Sequence, residues 1–464
     1  MPPREERRPA GGVGKRPSAS VTRMTPPAWR QFRRVSGAGP RPDIVPSVRR
    51  VPTTEMPPLL GRDGRLLFAS RAVRMFGYGF LSVVLVLYLA EAGLDGFQVG
   101  VVLTLTLLGD AALSLWLTTH ADRMGRRRVL LIGAVLMAAA GICFAITREP
   151  LLLLVAATVG VISPSGSEVG PFLALEQAAL AQTVPNRQRT RVFAWYNLAG
   201  SVATATGALS GGLIAAALQG GGVATLDSYR VVIVGYAVVG LGLAGVFAAM
   251  SSAVDAPKRA DDSIKRRLGL HRSTGIVARL SVLFAVDAFA GAFVLQSLIA
   301  FWFHQRFGAD PGFIGALMFG ANLLAGASAL LAVRIAERIG LVRTMVFTHL
   351  PSNALTILVP LMPTLELAAV VLLARFAISQ MDVPARQSYI HAVVDPDERS
   401  AAAGVTGIAR SLGSAAAPIL AAPLVAIPAL ASLPFFISGG LKIVYDLLLY
   451  RGFQSIRPPE EMPD

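Results

Sequence analysis

The chain is poor in charged residues and in cysteine, and each shortage excludes a class of protein. Only 15% of its 464 residues are charged, against about 25% in ordinary soluble domains, so a typical soluble globular protein is excluded. The low charge, together with 53% hydrophobic residues and a mean hydropathy of +0.58, also excludes a mostly disordered chain. The single cysteine, Cys143, excludes an internal disulfide and a cysteine-based metal cluster.

Catalytic signatures are missing as well. The chain has no G-x-x-x-x-G-K-[ST] phosphate loop, which excludes ATP hydrolysis by that motif. It has no H-E-x-x-H or C-x-x-C pair, and five histidines with one cysteine do not favour a catalytic transition-metal site. We therefore expect no enzyme activity, no metal site and no cofactor.

Basic residues outnumber acidic ones, 43 to 28, and only four of the 43 are lysine. In a chain this apolar, the net charge of +15 favours a membrane protein with cationic cytoplasmic loops over a nucleic-acid-binding protein. Residues 1–60 hold 12 basic residues and 4 acids but no apolar run long enough to fold. We predict a disordered cytoplasmic tail there, which either contacts anionic lipid headgroups or is simply solvated.

Long apolar segments separated by short polar stretches fill the chain from residue 66 onward. A helix needs about 20 residues to cross the ~30 Å hydrocarbon core, and lipid tolerates only helices or closed barrels. The pattern predicts an all-α membrane protein with twelve transmembrane helices in two pseudo-symmetric six-helix bundles. The predicted spans are 67–92, 97–119, 128–147, 151–180, 190–216, 229–250, 277–304, 312–334, 342–362, 366–390, 400–421 and 426–450.

Basic residues mark one side of the predicted bundles. Alternate loops, beginning with the loop near 120–129, carry 19 Arg and Lys in total, whereas the other loops carry three. Basic loops stay in the cytoplasm, so both termini are predicted inside, in the inner (plasma) membrane. The longest internal loop separates six spans from six. The predicted domains are a tail at 1–65, a bundle at 66–250, a cytoplasmic linker at 251–276, a bundle at 277–452 and a tail at 453–464.

The two predicted bundles resemble each other in sequence. A shift of 215 residues aligns 96–125 with 311–340 without a gap, and 7 of the 30 positions are identical. A shift of 210 aligns 184–190 with 394–400. Internal repeats of six spans are typical of transporters. The identities include Gly100/Gly315, Ala121/Ala336, Arg123/Arg338 and Gly125/Gly340.

The most specific motif is HADRMGRRR at 120–128, in the loop after the second predicted span. Here the chain resembles the major facilitator superfamily, whose loop signature reads Gly-x-x-x-Asp-Arg-x-Gly-Arg-Arg; Thr118 replaces the first Gly. A second copy, AERIGLVR at 336–343, keeps an acid, an Arg and the Gly. The resemblance implies a loop that latches the two halves on the cytoplasmic side. The expected gate residues are Asp122, Arg123, Gly125, Arg126, Arg127, Glu337, Arg338 and Gly340, with Glu176 and Arg386.

Two residues of the motif have simple physical roles. Gly125 allows a tight turn between two helix ends. Asp122 can accept hydrogen bonds from backbone N–H groups at a helix N-terminus, where the helix dipole favours an anion. The alternative is a plain basic stop signal without a gating role.

Opposite charges at equivalent places in the two halves predict two cytoplasmic contacts. Under the shift of 210, Glu176 falls on Arg386. We expect Glu176 to lie beside Arg126 or Arg127, and Arg386 to lie beside Glu337, because arginine pairs readily with carboxylates.

Three of the acids within predicted spans are candidates for the site, because a charge there is expensive unless it is paired, hydrated or protonated. Glu168 follows Pro164 in the fourth span, and the prolines and glycines of residues 164–171 should interrupt that helix. A broken helix exposes backbone groups that can bind a solute, so Glu168 is the first candidate for a proton or substrate site. Asp287 and Asp110 follow in that order. A structural ion pair is the alternative for each acid.

Basic and amide side chains complete the set of candidates. Arg375, in the tenth span, is a possible counter-charge for a buried acid or an anionic substrate, and Arg410 in the eleventh is a second. Asn197 either reaches the cavity or belongs to an interfacial aromatic belt. Arg71 and Arg74 begin the first span, where long cationic side chains commonly extend to the interface.

Two further features of the spans carry less information. The segment 207–212 is similar to the family's glycine-rich antiporter motif, with Ala208 where proline would stand, and it favours export. Packing of small residues alone would also explain these glycines. We expect His349, in the ninth span, to be a hydrogen-bonded helix residue rather than a proton carrier.

Together these features predict a monomeric secondary transporter that moves a small solute across the lipid bilayer by alternating access. Proton-coupled efflux is the leading function, and proton-coupled import or uniport of a metabolite is the alternative. An alternative of another class is a membrane sensor or partner protein that transports nothing. No nucleic-acid partner is expected.

The distribution of basic residues generates a test of topology. We expect reporters fused at residue 60, within 251–276 and at residue 455 to be cytoplasmic, and a reporter in the loop near residue 222 to be external. Alkaline phosphatase and green fluorescent protein fusions measure this directly. An external 251–276 segment, or termini on opposite sides, would contradict the predicted architecture.

Overall fold

The computed structural model describes residues 61–184, 189–255, 270–395 and 398–454. Within these ranges the chain forms α-helices, two short 3-10 turns and no strand, as the apolar pattern predicts. The helices are α1 (Arg62–Ser82), α2 (Leu85–Glu91), α3 (Gly96–Met124), α4 (Arg126–Ile146), α5 (Pro150–Val159), α6 (Phe172–Thr183), α7 (Arg189–Gly220), α8 (Thr225–Ala248), α9 (Thr274–Ala292), α10 (Gln296–Phe307), α11 (Pro311–Ile339), α12 (Leu341–Leu358), α13 (Leu365–Phe376), α14 (Asp382–Ala392), α15 (Arg399–Ala416), α16 (Pro418–Ala426) and α17 (Leu433–Phe453).

Several of these helices, alone or joined to the next helix, are long and apolar enough to cross a membrane. Nine stretches of the described residues qualify, and ten do if α1 and α2, which meet at 41°, count as one span. The predicted fourth and tenth spans are each divided, at 160–171 and at 377–381, into helices too short to qualify. The all-α membrane fold is confirmed, whereas the count of twelve spans and the domain boundaries stay predictions.

Two glycines form equivalent turns in the two parts of the repeat. Gly125 joins α3 to α4 with a φ of 90°, and Gly340 joins α11 to α12 with a φ of 86°. Side chains rarely tolerate this conformation, because a Cβ would meet the neighbouring backbone. The tight turn predicted at Gly125 is therefore confirmed, and the repeat explains why glycine recurs at Gly340.

Another repeated glycine pair brings the two halves of the protein together. We call residues 61–255 the N-terminal half and residues 270–454 the C-terminal half. A Cβ on Gly100 of α3 would lie 2.8 Å from the Cα of Ile419 in α16. A Cβ on Gly315 of α11 would lie 2.8 Å from the carbonyl oxygen of Ala208 in α7. Each glycine thus permits a close helix approach across the interface between the halves.

Glycines also explain the packing within each half. Gly207 of α7 leaves no room for a Cβ beside the Phe76 carbonyl of α1, and Gly413 of α15 leaves none beside the Ala285 carbonyl of α9. Gly207 therefore has a packing role, while the similarity of 207–212 to an antiporter motif stays a prediction.

An acid outside the spans ties the start of α9 to the start of α15. Glu398 accepts the backbone N–H groups of Arg272 at 2.8 Å and Ser273 at 2.9 Å, and also that of His271. Its hydrogen bonds, led by the one with the Ser273 side chain, lower the pKa of Glu398 to about 2. The carboxylate stays ionised at neutral pH and holds this segment at the N-terminal end of α9.

The turn at Gly125 generates a prediction for stability. Gly125→Ala should lower the free energy of unfolding by about 1–3 kcal/mol, because alanine must adopt a strained backbone there. Thermal unfolding in detergent micelles measures the effect. Gly404→Ala is the matched control, since its added Cβ has no described atom within 4 Å and alanine favours the helix. Equal behaviour of the two variants would contradict the strain.

Candidate functional site

The first cluster of buried charges centres on Arg74 of α1 and Glu176 of α6. Hydrogen bonds of 2.6 and 2.9 Å join the guanidinium to the carboxylate, and neither side chain is accessible to solvent. The hydroxyls of Ser70 and Tyr196 donate to the same carboxylate. Both carboxylate oxygens are thereby bonded, which is what a charge buried away from water requires.

Glu168 connects this cluster to the break between α5 and α6. The non-helical segment 160–171 confirms the predicted interruption, and Glu168 lies within it. Its carboxylate accepts a bond of 2.9 Å from Arg74 Nε and pairs with Arg71. The Glu168 side chain is 16% exposed, whereas Glu176 is fully buried. The expectation that Arg71 and Arg74 extend to the interface is wrong, because both guanidiniums turn inward to these acids.

Asp110 of α3 contacts no basic group within the described part of the chain. Its carboxylate accepts the backbone N–H of Gly170, and the Ser114 hydroxyl lies 3.5 Å away. Gly170 has a φ of 80°, which glycine adopts without strain. Asp110 thus fixes the end of the α5–α6 break against α3.

The second cluster centres on Asp287 of α9. Lys442 Nζ lies 2.7 Å from Asp287 Oδ1. Arg410 and Arg386 place their Nη1 atoms 3.2 and 3.3 Å from Oδ2. Arg386 also pairs with Asp382 at 2.8 Å. One carboxylate therefore faces three cations from α14, α15 and α17, and the cluster holds together four helices of the C-terminal half.

His349 of α12 lies beside the second cluster. Its Nδ1 is 2.9 Å from Asp446 Oδ1, and Asn353 donates to Asp446 Oδ2 at 2.9 Å. Its Nε2 is 3.5 Å from Lys442 Nζ. His349 is thus hydrogen-bonded inside the bundle, as predicted, and it links Asp446 to Lys442.

The two clusters are alike in position and opposite in sign. In the N-terminal half the first helix supplies the cation, Arg74, and the fourth predicted span supplies the acid, Glu176. In the C-terminal half the first helix supplies the acid, Asp287, and the corresponding span supplies the cation, Arg386. The match of Glu176 with Arg386 in the repeat therefore marks equivalent ion pairs with exchanged charges.

The predicted pairing of these residues with the loop motif is wrong. Glu176 bonds Arg74 rather than Arg126 or Arg127, and Arg386 bonds Asp287 and Asp382 rather than Glu337. The physical reason is burial: charges this far inside the bundle are neutralised by the nearest helices. Glu337 is exposed at the end of α11.

The loop motif instead packs against the end of α8. The backbone N–H of Arg127 donates to Asp255 at 3.0 Å, and its guanidinium donates to the carbonyls of Phe247, at 3.2 Å, and Ala248. These partners belong to the same half of the protein. Arg123 and Arg338 are exposed, and the side chain of Asp122 lies outside the described residues. The gating role of the motif stays a prediction.

The remaining candidates differ in surroundings. Arg375 donates to the Thr356 hydroxyl at 2.9 Å and contacts no described carboxylate, so it is not the counter-charge of a buried acid. Arg410 is such a counter-charge, and 33% of its side chain remains exposed. Asn197 is exposed on α7, next to the buried Tyr196.

Three members of the second cluster were not found from the sequence: Lys442, Asp446 and Asp382. Lys442 could be found from the sequence, since a lysine within a predicted span is by itself a candidate functional residue. Asp446 lies near the end of a long apolar segment, where charges commonly face water, whereas Asp382 lies inside the predicted tenth span and is a candidate by the same rule as Lys442. Which acid pairs with a given cation depends on which helices pack together.

The family model of the Major Facilitator Superfamily matches residues 67–418 and, separately, residues 280–463. An uncharacterized membrane protein of Saccharomyces cerevisiae is 30% identical over 418 residues, which cover 84% of this chain and 93% of the yeast protein.

Solved transporter structures share the fold. The nucleoside transporter NupG superposes with a TM-score of 0.66 at 13% identity, covering 85% of this chain and 100% of its own. A D-xylose-proton symporter gives 0.64 at 15% identity, with 86% and 98% covered. A bacterial homolog of the human lysosomal transporter Spinster, in an inward-facing and occupied conformation, gives 0.65 at 16% identity, with 85% and 97% covered.

The buried pair of the first cluster generates a stability prediction. Arg74→Gln should lower the free energy of unfolding by about 3–5 kcal/mol, because Glu176 is left as a buried charge without its main partner. The double variant Arg74→Gln/Glu176→Gln should recover part of that loss. Chemical unfolding in mixed micelles measures both.

The exposed pair Arg230–Asp227 provides the control for this prediction. Its atoms lie 2.9 Å apart, but the Asp227 side chain is 57% exposed, so Asp227→Asn should cost only about 0–1 kcal/mol. A double variant of the buried pair no more stable than Arg74→Gln would contradict the charge argument.

Proposed function

This chain belongs to the Major Facilitator Superfamily, and we propose that it is a proton-coupled secondary transporter that moves a small solute across the membrane by alternating access. The observation that supports this proposal most is the confinement of the buried ion pairs to single halves. Arg74 pairs with Glu168 and Glu176 of its own half, and Asp287 pairs with cations of its own half. Each half can therefore rotate as a unit without separating a buried charge from its partner.

The opposing functional class, a membrane sensor without transport, explains the clusters less well. A charge at the bilayer centre costs at least about 2.5 kcal/mol on insertion scales, and a non-transporting protein could replace both members of each pair by apolar residues. The most exposed members, Glu168 and Arg410, give each cluster a point at which solvent, a proton or a solute can act.

Glu168 is the proposed coupling acid. Its carboxylate is the described acidic partner of Arg71, and Arg71 Nε has no hydrogen-bond partner within the described residues. A proton on Glu168 would cancel its charge and release Arg71, while Arg74 would keep Glu176. Protonation would thus exchange an internal ion pair for a guanidinium able to bind an anionic or polar group of the solute.

The structure changes the order of the remaining acids. Asp110 now precedes Asp287, because Asp110 faces no described cation, whereas protonating Asp287 would leave three cations without their shared acid. Arg410 and Arg375 are candidates for solute contact in the C-terminal half.

We further propose efflux as the direction and the plasma membrane as the location, with a monomer and both termini in the cytoplasm. The basic loops support the orientation. Export is supported by the partial antiporter motif at 207–212, and import or uniport is the competing outcome.

A transport assay tests the coupling. In proteoliposomes containing a pH indicator, a panel of solutes is screened for proton flux that depends on the protein. Glu168→Gln should abolish pH-driven solute flux, because a neutral amide cannot bind and release a proton, while counterflow exchange of the solute continues. Asp227→Asn, an exposed acid in α8, is the control and should transport normally.

Each outcome separates the candidate functions. Normal pH-driven flux in Glu168→Gln removes it as the coupling acid, and Asp110→Asn and then Asp287→Asn are tested next. Solute flux without any proton movement indicates a uniporter or another coupling ion. If the folded protein, in sealed proteoliposomes, moves no solute of a broad panel, the result would favour a membrane sensor without transport.

A further inference from the structure

Three helix breaks meet at the interface between the halves. The first lies between α1 and α2, the second is the segment 160–171, and the third lies between α9 and α10. A helix break leaves backbone N–H and C=O groups without intrahelical partners, and these must be satisfied elsewhere. In this protein, groups of one half form hydrogen bonds with some of the backbone groups freed by breaks in the other half.

Backbone and side-chain hydrogen bonds cross the interface at this point. The N–H of Ser297, the second residue of α10, donates to the carbonyl of Pro164 at 3.1 Å. Gln296 Nε2 donates across the interface to Ser82 Oγ at 2.8 Å. Within the C-terminal half, Asn322 Nδ2 of α11 donates to Gln296 Oε1 at 3.2 Å. Ser82 and Ser297 are fully buried, and Gln296 is 6% exposed.

Gly166 brings the second break into this contact. It has a φ of 65°, and a Cβ there would lie 3.2 Å from Ser82 Oγ and 3.3 Å from Gln296 Nε2. The break in the N-terminal half is thus shaped around the amide of Gln296.

A second hydrogen bond between the halves also involves a backbone group at a helix break. α15 ends at Ala416 and α16 starts at Pro418, so the N–H of Ile419 has no intrahelical acceptor. Thr104 Oγ1 of α3 accepts this N–H at 3.0 Å. Again a polar group freed by a helix break in one half is satisfied by the other half.

We propose that Gln296, with Ser82 and Asn322, and Thr104, with the Ile419 N–H, form a polar latch that holds the two halves closed on the predicted external side. The placement follows from α2, α10 and α16, which run from these breaks to the loops with few basic residues. The inference rests on the proposed alternating access. Separating the halves here breaks these hydrogen bonds and exposes their polar groups. Once water enters and bonds to those groups, the latch opens at low cost, whereas separation without water leaves the groups unsatisfied and is costly.

The test measures accessibility and needs no solute. In a Cys143→Ser background, Val99→Cys is the reporter, because Val99 is 4% exposed and lies between the halves beside Leu298 and Ala422. A polar maleimide is applied to both faces of the membrane. Gln296→Leu should raise the labelling rate roughly three- to tenfold, the factor by which the loss of a hydrogen bond's net contribution shifts an equilibrium. Thr104→Val should raise it independently.

Matched controls lie next to the latch residues. The Ser297 hydroxyl is buried without a partner in the described residues, so Ser297→Ala should leave the rate unchanged. The Thr106 hydroxyl bonds only its own helix, at the Val102 carbonyl, so Thr106→Val should also have no effect. Met137→Cys, buried within the N-terminal half, reports general unfolding and should stay unlabelled in every variant.

The outcomes are distinct from those of the transport assay. A faster label on Val99→Cys in both latch variants, with Met137→Cys silent, supports the latch. Unchanged labelling in Gln296→Leu and Thr104→Val overturns it, even if solute flux continues and the transporter function stands. Equal acceleration by Ser297→Ala would also overturn it, since simple packing would then explain the effect.

Discussion

The cost of burying charge in an apolar bundle is the constraint on which the rest of this structure depends. Arg74 and Glu176 lie where no water reaches, and each is stable there only because the other is present with its hydrogen bonds complete. Asp287 meets the same requirement with cations from three helices. Because the partners come from one half in each case, each cluster ties together helices of a single half.

The interface between the two halves is held by other kinds of contact. Gly100 and Gly315 allow helices of opposite halves to approach closely, and a few hydrogen bonds satisfy groups freed by helix breaks. In lipid, close packing of small residues holds two helices together more weakly than a buried ion pair does. Strong interactions inside the halves and weaker ones between them are what a protein needs if its halves move against each other.

Exchange of charge between the halves is consistent with their common origin in one repeat. A buried salt bridge still neutralises both charges if its partners exchange sign, because each charge keeps an opposite charge beside it. The turns at Gly125 and Gly340 show the opposite behaviour and keep the same residue, because L side chains rarely adopt a positive φ. The helix breaks also recur, after Ser82 at the end of the 21-residue α1 and after Ala292 at the end of the 19-residue α9.

Composition and the positions of the apolar segments were enough to determine the class of fold, because lipid permits few structures and twenty-residue apolar runs leave little choice. The same local rules located the break around Glu168 and the turn at Gly125. They do not determine the partners of the charges: the sequence pattern predicts the loop motif as the partner of Glu176 and the interface as the place of Arg71 and Arg74, and it predicts no partner for Lys442 or Asp446. Those pairings depend on which helix faces meet across tens or hundreds of residues, and only the tertiary structure decides that, since a buried charge selects the nearest opposite charge in space rather than in sequence.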